Sequence, residues 1–186
     1  MKNSRNRGDA RFIIILICAV AVLAVAGFFI VRAVKDRQFT EGEVDENYVY
    51  ENRWADVRYE LPAGYEFAEH KKNELLYQGP GNRVIGFVVD ENSTLEEGWG
   101  SIKTAFSYLS SFNSYGFTVN VGKDTTKAIG GREYKCCVTS FSAAGQTFHM
   151  EIIARQVRKK GIIAFCFLSP SANEFEMFET NIRSYR

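Results

Sequence analysis

The pattern of apolar and polar positions changes character three times along the chain. "FIIILICAVAVLAVAGFFIV" runs from Phe12 to Val31 without a charged residue. At about 1.5 Å rise per helical residue it crosses a hydrocarbon core of roughly 30 Å, which predicts a transmembrane helix over 12–34. Period two follows: "VRYEL" at 57–61 alternates until Pro62 and Gly64 stop it, and "ELLYQG" and "RVIGFVVD" flank the turn signal "GPGN" at 79–82. Then Leu95, Trp99, Ile102, Phe106 and Leu109 recur by four, three, four and three, the apolar face of a helix. Ser93 with Glu96, or Thr94 with Glu97, forms a capping box at its start, and Gly116 closes it. "FTVNVG" and the turn "IGG" lead to three strands, "REYKCCVTSFS", "QTFHMEIIARQV" and "GIIAFCFLS", whose short connections hold Gly145 and Gly161 and imply a meander. At the end, Ser171 and Glu174 suit a second capping box, and Phe175, Phe178 and Ile182 form one helical stripe to lie on the sheet.

Composition turns these elements into one domain rather than two, because 186 residues at 46% hydrophobic must also supply the anchor. The division reads as a cytoplasmic tail over 1–11, the transmembrane helix over 12–34, an acidic linker over 35–52 and an extracytoplasmic α+β domain over 53–186. Lys2, Arg5, Arg7 and Arg11 precede the apolar run while Arg32, Lys35 and Arg37 follow it, a small bias that places the N-terminus in the cytoplasm. Within the linker, "FTEGEVDENYVYE" holds Glu41, Glu43, Asp45, Glu46 and Glu51 without a basic residue, the composition of a solvated spacer. Ala24-Val25-Ala26 has the form of a signal-peptide cleavage site, but "GFFIV" prolongs the apolar run past it, so a retained anchor is the expectation. Cys18 lacks the small preceding residue of a lipoprotein signal.

Charge divides with the domains. Residues 1–37 carry a net +5 and the remainder a net −4. A mildly acidic ectodomain has no electrostatic footprint for nucleic acid, and none is expected as a partner.

Trp54 with "VRYELPAGYEF", the helix opening "STLEEGW", the strand "IGGREYKC", a long hairpin and the closing "FEMFETNIRSY" together resemble the PsbP/Mog1-like group of domains over about residues 53–186. The resemblance implies an antiparallel β-sheet flanked by helices, an α/β/α sandwich, beside the one N-terminal transmembrane helix. It implies no catalytic residue, because the group, with photosystem-associated, nuclear-transport-associated and bacterial surface members, shares none.

Candidate chemistry is sparse. With the hairpins closed at their simplest, Thr139 faces His149, Cys137 faces Glu151 and Cys166 lies beside Ile153, so that one sheet face collects Cys137, His149, Glu151 and Cys166. The other face then carries the core: Tyr134, Cys136, Val138, Phe148, Met150, Ile152, Ile163, Phe165 and Phe167. The mixed face raises a metal site or a Cys-His nucleophile, yet it lacks close CxxC spacing, and Cys137 and Cys166 stand one strand apart, too far for a disulfide. No metal or cofactor is expected, and no catalytic residue. Trp54 and Tyr59 suit core packing more than a binding groove, His70 falls in the "EHKKNE" loop, and Asn92 begins a glycosylation sequon meaningful only in a eukaryotic secretory setting.

The candidate binding element is a basic hairpin tip of Arg155, Arg158, Lys159 and Lys160, suited to an anionic surface. The expected function is therefore a non-enzymatic, single-pass accessory domain at the cell membrane. Its expected partners are the lipid bilayer, through Phe12 to Val34, and an envelope or membrane protein. Two alternatives stand beside it: an envelope hydrolase or thiol enzyme using His149 with Cys137 or Cys166, and a small-ligand sensor or carrier.

Overall fold

The computed structural model describes residues 43–44, 49–71, 74–110, 117–143 and 145–184. The expected tail, anchor and Gly116 cap lie outside the described residues. Among the described residues no helix is long and apolar enough to cross a membrane.

The strands of the described residues, in chain order, are β1 (Glu43–Val44), β2 (Val49–Asn52), β3 (Val57–Glu60), β4 (Glu66–Lys71), β5 (Glu74–Gly79), β6 (Arg83–Asp90), β7 (Phe117–Val121), β8 (Thr125–Ile129), β9 (Arg132–Ala143), β10 (Gln146–Gln156), β11 (Ile162–Ser169) and β12 (Ile182–Arg183). Helix α1 (Leu95–Ser110) follows β6, and a 3-10 turn (Ala172–Glu174) leads into α2 (Phe175–Glu179). The large antiparallel sheet has the order β4-β5-β6-β11-β10-β9-β7, with β8 also on β9, and a small sheet has the order β1-β2-β3-β12. The expected meander is present as β9-β10-β11. His70, expected in a loop, falls on β4 opposite Leu75.

Register is where the structure departs most from the sequence reading. Ala143 pairs with Gln146, leaving two residues in the hairpin connection with Gly145 at φ +77°, where the sequence reading placed three. That single residue shifts β9 against β10, so Ile152 faces Cys137 and Ile153 faces Cys136; on the other side Gln156 pairs with Ile162, which sets Cys166 opposite Ile152 rather than Ile153. A one-residue slip moves side chains to the opposite face.

The two faces of the large sheet are covered differently. One carries an aromatic core in which Phe87 packs on Tyr50, Tyr59 and Phe165 at ring-centroid distances of 4.7, 5.1 and 5.3 Å. Phe167 stacks on Phe178 of α2 at 5.3 Å. Aromatic pairs of this kind add roughly 0.5–1.5 kcal/mol each beyond the area they bury. The opposite face receives Trp99, Ile102 and Phe106 from α1, packed over Cys137, Met150, Ile152, Ala154, Ala164 and Leu168. The expected α/β/α sandwich is thus replaced on one side: the cover over the aromatic face is the small sheet, with only the five-residue α2 beside it.

That small sheet corrects the expected boundary at residue 53. The segment read as a solvated spacer over 35–52 contains β1 and β2, and Val49, Tyr50 and Asn52 are buried. Asn52 donates to the Tyr50 hydroxyl at 3.0 Å and accepts from the Ala55 amide at 2.9 Å, so its polar groups are satisfied inside.

Helix ends show which capping signals acted. Thr94 and Glu97 form the reciprocal box: the Glu97 amide donates to the Thr94 hydroxyl at 3.3 Å and the Thr94 amide to the Glu97 carboxylate at 2.9 Å. Replacing Thr94 by Ala is expected to lower stability by about 1 kcal/mol, read as a shift of the urea midpoint. The second box does not form. Glu174 is held instead by Arg83, through two bonds of 2.6 Å, and by Ser169, and Ser171 makes no side-chain cap. The helix stops at Glu179, and Ile182, expected on the helical stripe, lies on β12 opposite Tyr59.

Candidate functional site

The register separates the residues that a thiol enzyme or a metal site would need. Cys137 and Cys166 lie on the α1 face with Ile152 between them, whereas His149 and Glu151, of opposite parity along β10, point to the other face. The Cys137/His149/Glu151/Cys166 cluster is therefore not assembled. Cys136, Cys137 and Cys166 form no disulfide, and among the described residues no group of three or more His, Cys, Asp or Glu is arranged to hold a metal ion.

Glu151 has a structural partner set that the sequence did not disclose. It is fully buried and accepts from Lys127 Nζ at 2.6 Å and from Cys136 Sγ at 3.1 Å, while Lys127 also bonds Glu179 of α2. Burial, reinforced by the Glu151 carboxylate, pushes the Cys136 thiol up to about 12, so it is protonated and inert at neutral pH. On the other face Lys103 lies 3.6 Å from Cys137 but is paired with Asp124 at 2.6 Å, and Asp124 also accepts from the Trp99 indole at 2.8 Å. These clusters tie elements together.

The basic tip divides into a buried part and an exposed part. Arg155 is 7% exposed and does not belong to the tip surface. Because β10 continues to Gln156, Arg155 points from the aromatic face into the small sheet. There its guanidinium donates to the Tyr134 hydroxyl at 3.1 Å, to the Asp56 carbonyl at 3.1 Å and to the Ala55 carbonyl. Arg158, Lys159 and Lys160 are exposed, and among the described residues none of the three forms an ion pair.

Trp54 positions this exposed part. It sits on the turn between β2 and β3, packed against the aromatic core, and the Arg158 guanidinium lies 5.6 Å from its ring centre. The ring fills the space over Gly161, where a Cβ would stand 2.4 Å from it, and Gly161 has φ +126°. Tyr59 is fully buried, the core packing expected of it in preference to a binding groove. Replacing Gly161 by Ala is expected to cost about 2 kcal/mol through positive φ and the collision with Trp54. A lower urea midpoint together with a red-shifted tryptophan emission checks it.

A second polar feature was not apparent in the sequence. Glu51, Arg58, Glu60, Arg183 and Ser184 line a depression of about 350 Å³ on the outer face of the small sheet. Its charges answer one another: Arg58 lies 3.9 Å from Glu51, and Arg183 lies 4.0 Å from Glu60. Exposed pairs at such distances contribute little, and the face carries no net charge to attract an ion.

No family model matches the chain, and no curated protein matches it. Among solved structures the chain is similar to the solution structure of cyanobacterial PsbP (CyanoP) from Synechocystis sp. PCC 6803, with 8% identity and a TM-score of 0.54 over 82% of this chain and 98% of that one. A crystal structure from Bacteroides thetaiotaomicron VPI-5482 gives 12% identity and a TM-score of 0.47 over 80% of this chain and 50% of that one. The first likeness shows a PsbP-like fold, as the sequence resemblance implied. At that identity it shows the fold alone.

Proposed function

We propose that the chain is a single-pass, membrane-anchored extracytoplasmic domain that works by binding, as an accessory of a cell-envelope complex. The observation that carries this reading is the contrast between two sets of charges. Arg155, Lys127, Glu151, Asp124 and Arg83 are consumed in bonds between elements, whereas Arg158, Lys159 and Lys160 are exposed and without an ion pair among the described residues, with Arg158 braced on Trp54. The first set leaves little for catalysis. The second is available to an anionic surface.

The apolar run over 12–34 supplies the tether. An anchored domain meets membrane and envelope partners at an effective concentration far above that of a free one. In situ cross-linking from the ectodomain is expected to capture an envelope or membrane protein. Failure to capture any such protein, together with avid binding of a small ligand by the purified chain, would replace this reading with a sensor or carrier.

A further inference from the structure

We propose that the tip formed by Trp54, Arg158, Lys159 and Lys160 seats on the anionic headgroup layer of the membrane that carries the chain's own anchor. The inference deepens the reading above and rests on its membrane tether. Its starting point is the end of the domain from which the tether leaves. In β1, Glu43 pairs with Glu51 and Val44 with Tyr50, so the chain reaches the domain beside the last residues of β2. The next turn after β2 bears Trp54, and that ring lies against Gly161 and Arg158. Tether and basic tip therefore share one end of the domain.

Chain length strengthens the juxtaposition. Only the eight residues 35–42 separate the expected anchor from β1, and eight residues reach at most about 29 Å when fully extended. The end of the domain that receives the tether is thus held close to the bilayer surface. Chemistry agrees with this placement. A half-buried tryptophan beside cations is the combination that settles at headgroup depth, the ring in the interface and the charges on phosphates.

Two neighbouring acids are matched by other cations: Asp56 is paired with Arg132 at 2.6 Å, and Glu51 lies opposite Arg58. Asp90 is turned onto the Asn92 amide at 2.8 Å and the Ser93 hydroxyl. Burial works against the charge on Asp56, but its bonds to Ser184 and Arg132 hold its carboxyl below the usual range. The cations thus face outward with their charge intact.

The test uses the full chain in lipid nanodiscs whose acyl chains are brominated near the headgroups, made of phosphatidylcholine alone or with phosphatidylglycerol. Trp99 is 3% exposed and bonded to Asp124, so it is shielded from bromine. Trp54 emission is expected to be quenched in the phosphatidylglycerol discs, and quenching should be absent in Trp54→Phe. Replacing Arg158, Lys159 and Lys160 together by Ser should return emission to the phosphatidylcholine level, because three surface cations together change lipid affinity by on the order of a hundredfold. Equal emission in both kinds of disc, or quenching that survives the triple replacement, overturns the proposal. A chain retained in the discs without quenching overturns the proposal alone, whereas a chain that elutes apart from them removes the tether as well. Salt-sensitive capture of an acidic envelope protein through the tip, without quenching, assigns the tip to a protein and overturns the lipid assignment.

Discussion

Replacing Lys127 by Met is expected to lower the unfolding free energy by about 3 kcal/mol at pH 8 and by distinctly less at pH 5. Lys127 is one cation between two carboxylates, Glu151 on β10 and Glu179 on α2. Breaking a buried pair by removing one partner costs roughly 3–5 kcal/mol. The lower end applies, because the Lys127 side chain is 38% exposed while that of Glu151 is wholly buried. Burial works against the Lys127 charge, but the two carboxylates outweigh it and hold its pKa above the usual value.

The pH dependence comes from Glu179. Burial, with the nearby Glu151 carboxylate, pushes its carboxyl from an ordinary 4.5 up to about 7 despite the attraction of Lys127. The folded state then binds more protons than the unfolded one between these values, so the contribution of Glu179 is fully present below about 4.5 and is lost as pH rises toward 7. Without Lys127, ionised Glu179 stands beside the buried Glu151 with no countercharge at alkaline pH. At pH 5 protonation of Glu179 removes that charge. Urea midpoints of both proteins at the two pH values check the claim, and an equal loss at each would show that Glu179 does not titrate in the folded protein. Glu174 behaves oppositely: Arg83 and the Ser169 bond bring its carboxyl down to about 2, so its contribution is lost in acid as pH falls through that value.

A loss of about 3 kcal/mol is also expected for Arg155→Ala, whereas Arg158→Ser should change stability by no more than about 0.5 kcal/mol. The two arginines are three positions apart and do different work. Truncating Arg155 strands the carbonyls of Ala55 and Asp56 and the Tyr134 hydroxyl, each previously paired inside the protein. A buried acceptor left without a donor costs roughly 1–3 kcal/mol. The turn bearing Trp54 then loses its clamp, so tryptophan emission should shift red before the main unfolding transition. Arg155→Lys should restore only part of the loss, because an ammonium cannot reproduce the planar fork that spans two carbonyls and a hydroxyl. Full recovery with Lys would mean that charge alone, rather than geometry, matters there.

Strands with strong period two or continuous apolar runs were legible in the sequence: "RVIGFVVD" is β6 residue for residue, and Trp99, Ile102 and Phe106 bury one side of α1 as their spacing requires. What escaped depends on partners distant along the chain. β2 was hidden because acidic neighbours mark its surroundings as spacer, although Val49 and Tyr50 find an apolar cover only when β3 pairs beside them. The β9-β10 register turned on whether two or three residues close the hairpin, and "SAAGQ" is compatible with both. That one residue, together with the slip that pairs Gln156 with Ile162, decided the candidate site, placing His149 and the two cysteines on opposite faces. Arg155 was grouped with the tip by proximity in sequence, while strand parity sends its side chain inward. Nothing local marks Lys127, Glu151 and Glu179 as one network, since they come from three elements and meet only through tertiary packing.

The central claim is that a retained N-terminal anchor holds this PsbP-like domain at the outer surface of a membrane. Treating intact cells with a membrane-impermeant amine reagent, followed by alkaline washing of the membranes and mass spectrometry of the chain, tests it most directly. Modification is expected at the exposed Lys123 of the ectodomain, with none at Lys2, and a chain that stays in the washed membranes with residues 12–34 still attached. A mature chain that begins at Gly27 and leaves with the soluble fraction, or one modified at Lys2 and not at Lys123, would contradict it.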